Sequence, residues 1–148
     1  MAKAVSINRS KIHEGTIQNL AGENASVFDE SGKKLFSTIR ELLTFSALLG
    51  VHHSLRIPLD KSAGVDDIQG SIYDDTEALE FIWLIGIIET ENVDVLKDGN
   101  ERDCALIFEE YANGGLQLIS EWLAKDLKLP SFETLIKNVS SLIARTKV

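Results

Sequence analysis

The stretch Cys104-Ala-Leu-Ile-Phe-Glu-Glu-Tyr-Ala-Asn-Gly-Gly-Leu-Gln-Leu-Ile-Ser-Glu-Trp-Leu123 decides how this chain folds. Ala105, Phe108, Ala112, Leu116, Ile119 and Leu123 advance by three or four residues, with Gly115 on the same stripe, so one face of a long helix is apolar. Gly114-Gly115 lies in the middle of it. Two glycines there cost roughly 2 kcal/mol of helix propensity relative to alanine. A fold that keeps them needs close backbone approach, or a kink, at that point.

Other helices flank this one. Leu35, Phe36, Ile39, Leu42, Leu43, Ser46, Ala47 and Leu49 recur at helical spacing, with a stop at Gly50 or a continuation to His53. Leu55-Arg-Ile-Pro-Leu59 is expected to be extended, because Pro58 biases Ile57 away from the helical region. Ile68 to Tyr73 reads as a second extended piece, able to pair with the first as a hairpin across the Lys61–Asp67 loop. Asp74-Asp-Thr-Glu77 places acids and a hydroxyl where a helix begins. From Leu79 to Ile88 the apolar residues go nearly all the way round, which predicts a helix buried on most sides at the centre of the fold. One helical turn is expected at Val93–Leu96. Pro130 stops the chain and Ser131 caps a last helix with Phe132, Leu135, Ile136, Val139, Leu142 and Ile143 on its apolar face.

The first thirty residues give only a short helix near Thr16–Ala21. The reading is mainly α: a compact single-domain helical bundle of about four main helices, with room for one small β-hairpin. Residues 1–32 form a poorly defined N-terminal segment, and residues 33–148 the helical domain.

With 148 residues, 44% hydrophobic and 26% charged, the chain has the composition of one ordinary soluble domain, which excludes fibrous and disordered classes. Cys104 is the single cysteine, so no intrachain disulfide forms, and a lone thiol fits a reducing cytoplasm. Met1 to Val5 leads into polar residues without the apolar run of a signal peptide. The longest apolar block, Phe81 to Ile88, is about one third of a membrane span. A cytoplasmic protein without membrane contact is expected.

Net charge is −8 and unevenly spread. Residues 66–110 carry fourteen acids against Lys97 and Arg102, net −12, whereas residues 33–61 carry Lys33, Lys34, Arg40, Arg56 and Lys61 against Glu41 and Asp60, net +3. The overall sign opposes unspecific attraction to nucleic acid. The basic block allows a modest phosphate contact or docking on an acidic protein.

No chemical constellation outweighs its structural reading. His13, His52 and His53 lack metal-ligand spacing with carboxylates. Glu109-Glu110 and Glu89-Thr90-Glu91 bring carboxylates to two helices, but charge runs are mostly solvated faces and no nucleophile stands beside them. Cys104 has Arg102 near it but also Glu101 and Asp103, acids that raise its pKa, and it reads as a packing residue. Ser46 to Val51 has the small-residue-to-glycine spacing of a helix-turn-helix corner, but Pro58 follows too soon for a full recognition helix. Trp83, Tyr111 and Trp122 fall within or beside apolar stripes and are expected in the core. No catalytic residue, metal or cofactor is assigned.

At Phe36-Ser-Thr-Ile-Arg-Glu-Leu-Leu-Thr-Phe-Ser-Ala-Leu-Leu-Gly50, Arg56-Ile-Pro-Leu59, the helix ending Ile87-Ile-Glu-Thr90, and Ile107-Phe-Glu-Glu-Tyr-Ala-Asn-Gly-Gly-Leu116, the chain resembles small proteins encoded beside prokaryotic DNA phosphorothioation (dnd) gene clusters and in other anti-phage neighbourhoods. The resemblance covers about residues 35–122, and the run Phe108 to Leu116 is its specific part. It implies an accessory role in modification-dependent DNA defence and brings no catalytic residues with it. Glu109, Glu110, Tyr111 and Asn113 are the polar members available for a functional surface there.

The expected function is therefore a non-catalytic interaction protein of a DNA-modification or phage-defence system. It docks to a larger protein component, contacts DNA weakly if at all, and is free to self-associate. The alternatives are a direct DNA-binding or regulatory protein using Lys33, Lys34, Arg40, Arg56 and Lys61, which requires these to share one face, and an acidic DNA mimic.

Overall fold

The computed structural model describes residues 6–22, 25, 31–60, 62, 64–68, 77–97, 99–125 and 131–146. Its order is β1 (Ile7–Ser10), a 3-10 turn, α1 (Glu14–Ala21), α2 (Ile39–His52), β2 (Val65–Ile68), α3 (Glu77–Thr90), a 3-10 turn at Val93–Leu96, α4 (Glu101–Lys125) and α5 (Ser131–Thr146). The described fold is mainly helical, as the periodicity predicts.

The centre is α4, a helix of 25 residues that packs against α2, α3, α5 and β1. It runs through Gly114-Gly115 without interruption. Close approach is the reason for the glycines. A Cβ on Gly115 would stand 1.8 Å from the Ser46 carbonyl oxygen, one on Gly114 2.0 Å from that of Leu55, and one on Gly50 2.2 Å from that of Tyr111. The α2 and α4 backbones thus touch through a notch that no side chain can share. Their meeting faces bury Leu42, Leu43 and Ala47 against Phe108, Ala112 and Leu116.

Helix α2 is started by Thr38, whose hydroxyl accepts the Glu41 N–H at 3.1 Å, while the Glu41 carboxylate accepts the Ser37 N–H at 3.0 Å. It continues past Gly50 to His52, so no helix-turn-helix corner forms there. Ser54 takes a left-handed φ of 51°, and the Leu55 N–H returns to the Gly50 carbonyl at 2.8 Å, closing the helix end.

Two expectations are corrected. Helix α3 is not the buried centre. Ile82 and Ile85 enter the core, but Leu84 and Ile88 are 48% and 50% exposed. Its apolar ring exceeds the surface that α4 and α2 can cover. The small antiparallel pair also has different members: β2 falls at Val65–Ile68, in the stretch read as a loop, and its partner is β1, with Ile7 opposite Ile68 and Ser10 opposite Val65. The expected second strand lies mostly outside the described residues. The segment at Leu55–Leu59 belongs to no helix or strand and bonds to α4 through the Ile57 N–H and the Glu110 carbonyl at 3.0 Å.

The N-terminal residues join the same core. Ile7, Ile17 and Leu20 are buried in one cluster with α2 and α4, and α1 begins two residues earlier than the sequence implies. Trp83, Tyr111 and Trp122 pack half-buried against this cluster.

Candidate functional site

The residues from Glu109 to Asn113 sit where α4 meets β1 and the Leu55–Leu59 segment. Glu109 is 2% exposed. Its carboxylate accepts the Asn8 backbone N–H at 2.8 Å and the Arg102 guanidinium at 2.9 Å, and Arg102 also donates to the Ser6 carbonyl at 3.0 Å. Burial pushes the Glu109 carboxyl above its ordinary value, against the opposing pull of Asn8 and Arg102. This charged pair ties the first strand to the central helix.

Glu110 accepts the Arg56 Nε–H at 2.7 Å, and Arg56 reaches Glu89 on α3 at 3.1 Å. The Tyr111 hydroxyl donates to the other oxygen of Glu89. Burial, then this bond, raises the Tyr111 phenol above its ordinary value. Asn113 is buried and its side-chain amide donates to the Ile57 and Pro58 carbonyls at 3.2 and 3.3 Å. The specific run of the sequence is thus an internal fastening. Its two glycines admit neighbouring backbone, and its polar members hold that backbone in place.

The cation between Glu89 and Glu110 is the Arg56 guanidinium, where acid–base chemistry would need a substrate or a metal. Among the described residues no group of three His, Cys, Asp or Glu is placed to hold a metal ion. Asn8, Pro58, Arg102, Leu106, Glu109 and Glu110 help to line a recess of about 300 Å³. Cys104 is buried, with its thiol pushed up to about 11 by burial and then by Asp103 and Glu101, as its acidic neighbours imply.

Of the basic block, Arg40 and Arg56 stand at opposite ends of α2. Lys33 is exposed, Lys34 is half-buried and reaches the Gly22 carbonyl, and Arg40 stands in the first turn of α2. Arg56 lies beyond the other end of α2, a helix about 21 Å long. Lys61 lies outside the described residues.

Two surfaces escaped the sequence reading. On α3, Glu80, Leu84 and Ile88 follow one another at spacings of four and are all exposed, and beyond the helix end Glu91, Val93 and Asp94 are exposed as well. Between α2 and α5, Phe45, Leu48, Ile136, Val139 and Ile143 border two adjoining apolar hollows of about 270 and 320 Å³. The signal for the first was available: a helix apolar on every side needs a cover on every side.

A helical protein fastened by acid–base pairs between its segments, with apolar residues left outward, is the class this geometry defines. The family described as DNA sulphur modification system-associated protein 4 matches residues 7–141, and the chain belongs to that family. It is associated with a DNA sulphur modification system, in agreement with the resemblance. No curated protein and no solved structure matches it. Among the described residues no helix is long and apolar enough to cross a membrane.

Proposed function

We propose that this chain is a non-catalytic accessory protein that docks onto a larger protein component of its DNA sulphur modification system and serves phage defence in the cytoplasm. One observation carries the reading. Glu109, Glu110, Tyr111 and Asn113 are engaged inside the molecule, whereas Leu84, Ile88 and the 67%-exposed Val93 face outward within the most acidic part of the chain. Exposed apolar residues rimmed by charge are the usual make-up of a protein-binding face. The motif residues act indirectly, by holding α3 and the Leu55–Leu59 segment against α4. DNA binding by the basic block is disfavoured because Arg56 is committed to Glu89 and Glu110.

The test is co-purification. The tagged full-length chain, expressed in a host that carries the whole system, is expected to retain one of the system's proteins through a moderate salt wash, and to bind bare duplex DNA weakly in a fluorescence titration. Tight, salt-resistant DNA binding by the isolated chain would overturn the proposal.

A further inference from the structure

The outer face of α3 has a charge pattern that selects its occupant. Glu80, Leu84 and Ile88 fall within a strip about 80° wide at 100° per residue, and the exposed Glu91 follows just past the helix end. Glu80 precedes the two apolar side chains on the helix, Glu91 and Val93 follow them exposed beyond the helix end, and Asp94 is paired with Lys97 at 3.2 Å. Helix α3 carries Glu77, Glu80 and Glu89 and no basic residue. A ridge of this kind fits the groove of another helix when that helix sets an apolar pair against Leu84 and Ile88 and Lys or Arg against the flanking carboxylates.

We infer that this face is the docking surface, and that its occupant is a basic amphipathic helix of a partner protein. The inference rests on the docking reading above and adds the place and the chemistry. Nucleic acid is a poor occupant, since its phosphates would meet carboxylates. A second copy set α3 against α3 would oppose like charges. The α2–α5 hollow makes no comparable choice, because its lining is apolar apart from Ser140 and His52 and carries no carboxylate.

The experiment is site-specific photo-crosslinking in the native host with the full-length chain. p-Benzoylphenylalanine replaces Leu84 in one variant and Leu48, beside the α2–α5 hollow, in another. The expected result is a cross-link from position 84 and none from position 48. The captured peptide should come from a protein of the modification system and carry Lys or Arg around apolar residues. The double charge reversal Glu80→Lys, Glu91→Lys, at exposed positions that leave thermal stability unchanged, should lower partner retention at least tenfold at low salt. The inference falls if position 48 cross-links while 84 is silent. It falls equally if the peptide on 84 is acidic or belongs to a second copy of this chain, if nucleic acid is attached, or if the charge reversal leaves retention intact. In these cases a wild-type chain that still retains a system protein keeps the docking reading alive. If it retains none, both fall.

Discussion

The α2–α4 crossing and the outer face of α3 are both built from apolar residues, but they are opposite kinds of surface. At the crossing, Leu42, Leu43, Ala47, Phe108, Ala112 and Leu116 are buried in one cluster and three glycines let backbone touch backbone. On α3, the apolar residues continue round to a side where nothing in the described fold covers Leu84 and Ile88. Hydrophobic content alone does not distinguish the two. Periodicity does: a stripe predicts a closed seam, and a full ring predicts an excess that belongs to something else.

The largest effect should come from filling the notch. Gly115→Ala puts a Cβ 1.8 Å from the Ser46 carbonyl, a fixed backbone atom, so α2 and α4 must separate. A loss of about 3 kcal/mol or more is expected, lowering Tm by about 10 °C in a calorimetric scan. A stable Gly115→Ala protein would mean that the crossing is looser than described and erase the contrast with α3.

Asn113→Ala should come next. It leaves the Ile57 and Pro58 carbonyls without their side-chain donor, at a cost of about 1–2 kcal/mol read from urea unfolding. Proteolysis should then cut first near Leu55–Leu59, since that segment is fastened to α4 by few other bonds.

Glu109 sharpens the comparison through pH. Its carboxyl is held above the ordinary value of 4.5, because burial disfavours the charged form more than Asn8 and Arg102 favour it. A raised carboxyl contributes stability that is present below pH 4.5 and lost as pH rises through the folded value. Relative to Glu109→Gln, the wild type should therefore weaken as pH rises from about 4.5, and paired Tm curves across that range would show it. A wild type that gained on the variant with rising pH would mean that the Arg102 pair dominates.

The smallest effect is expected on α3. Leu84→Ala and Ile88→Ala remove half-exposed side chains, so each should cost under about 1 kcal/mol and leave the far-ultraviolet circular dichroism unchanged. A large loss there would show that this face is part of the core after all.

Much of this arrangement was legible in the residues. Helices α2 and α4 follow from their spacing, and the Gly114-Gly115 pair left close approach or a kink, of which the fold uses the first. What escaped were contacts between distant segments. Arg56 meets Glu89 and Glu110 only once α3, α4 and the Leu55–Leu59 segment are assembled, and local patterns say nothing of that. Strand β1, with four residues and a partner 55 or more positions away, carries too little alternation to be recognised. The Arg102–Glu109 pair also went unread, although residues seven apart on one helix share a face two turns apart.

Cys104 lies at the seam between α3 and α4, its sulfur so near Gly86 that an added Cβ there would stand 2.8 Å away. An alkylating reagent reaches that sulfur only when the two helices part. The molecule therefore carries a single chemical clock: the rate at which its one thiol is consumed, compared with that of a free thiol, measures how often α3 lifts from the body of the protein. Occupancy of the outer face by a binding partner would slow that clock without covering the sulfur itself.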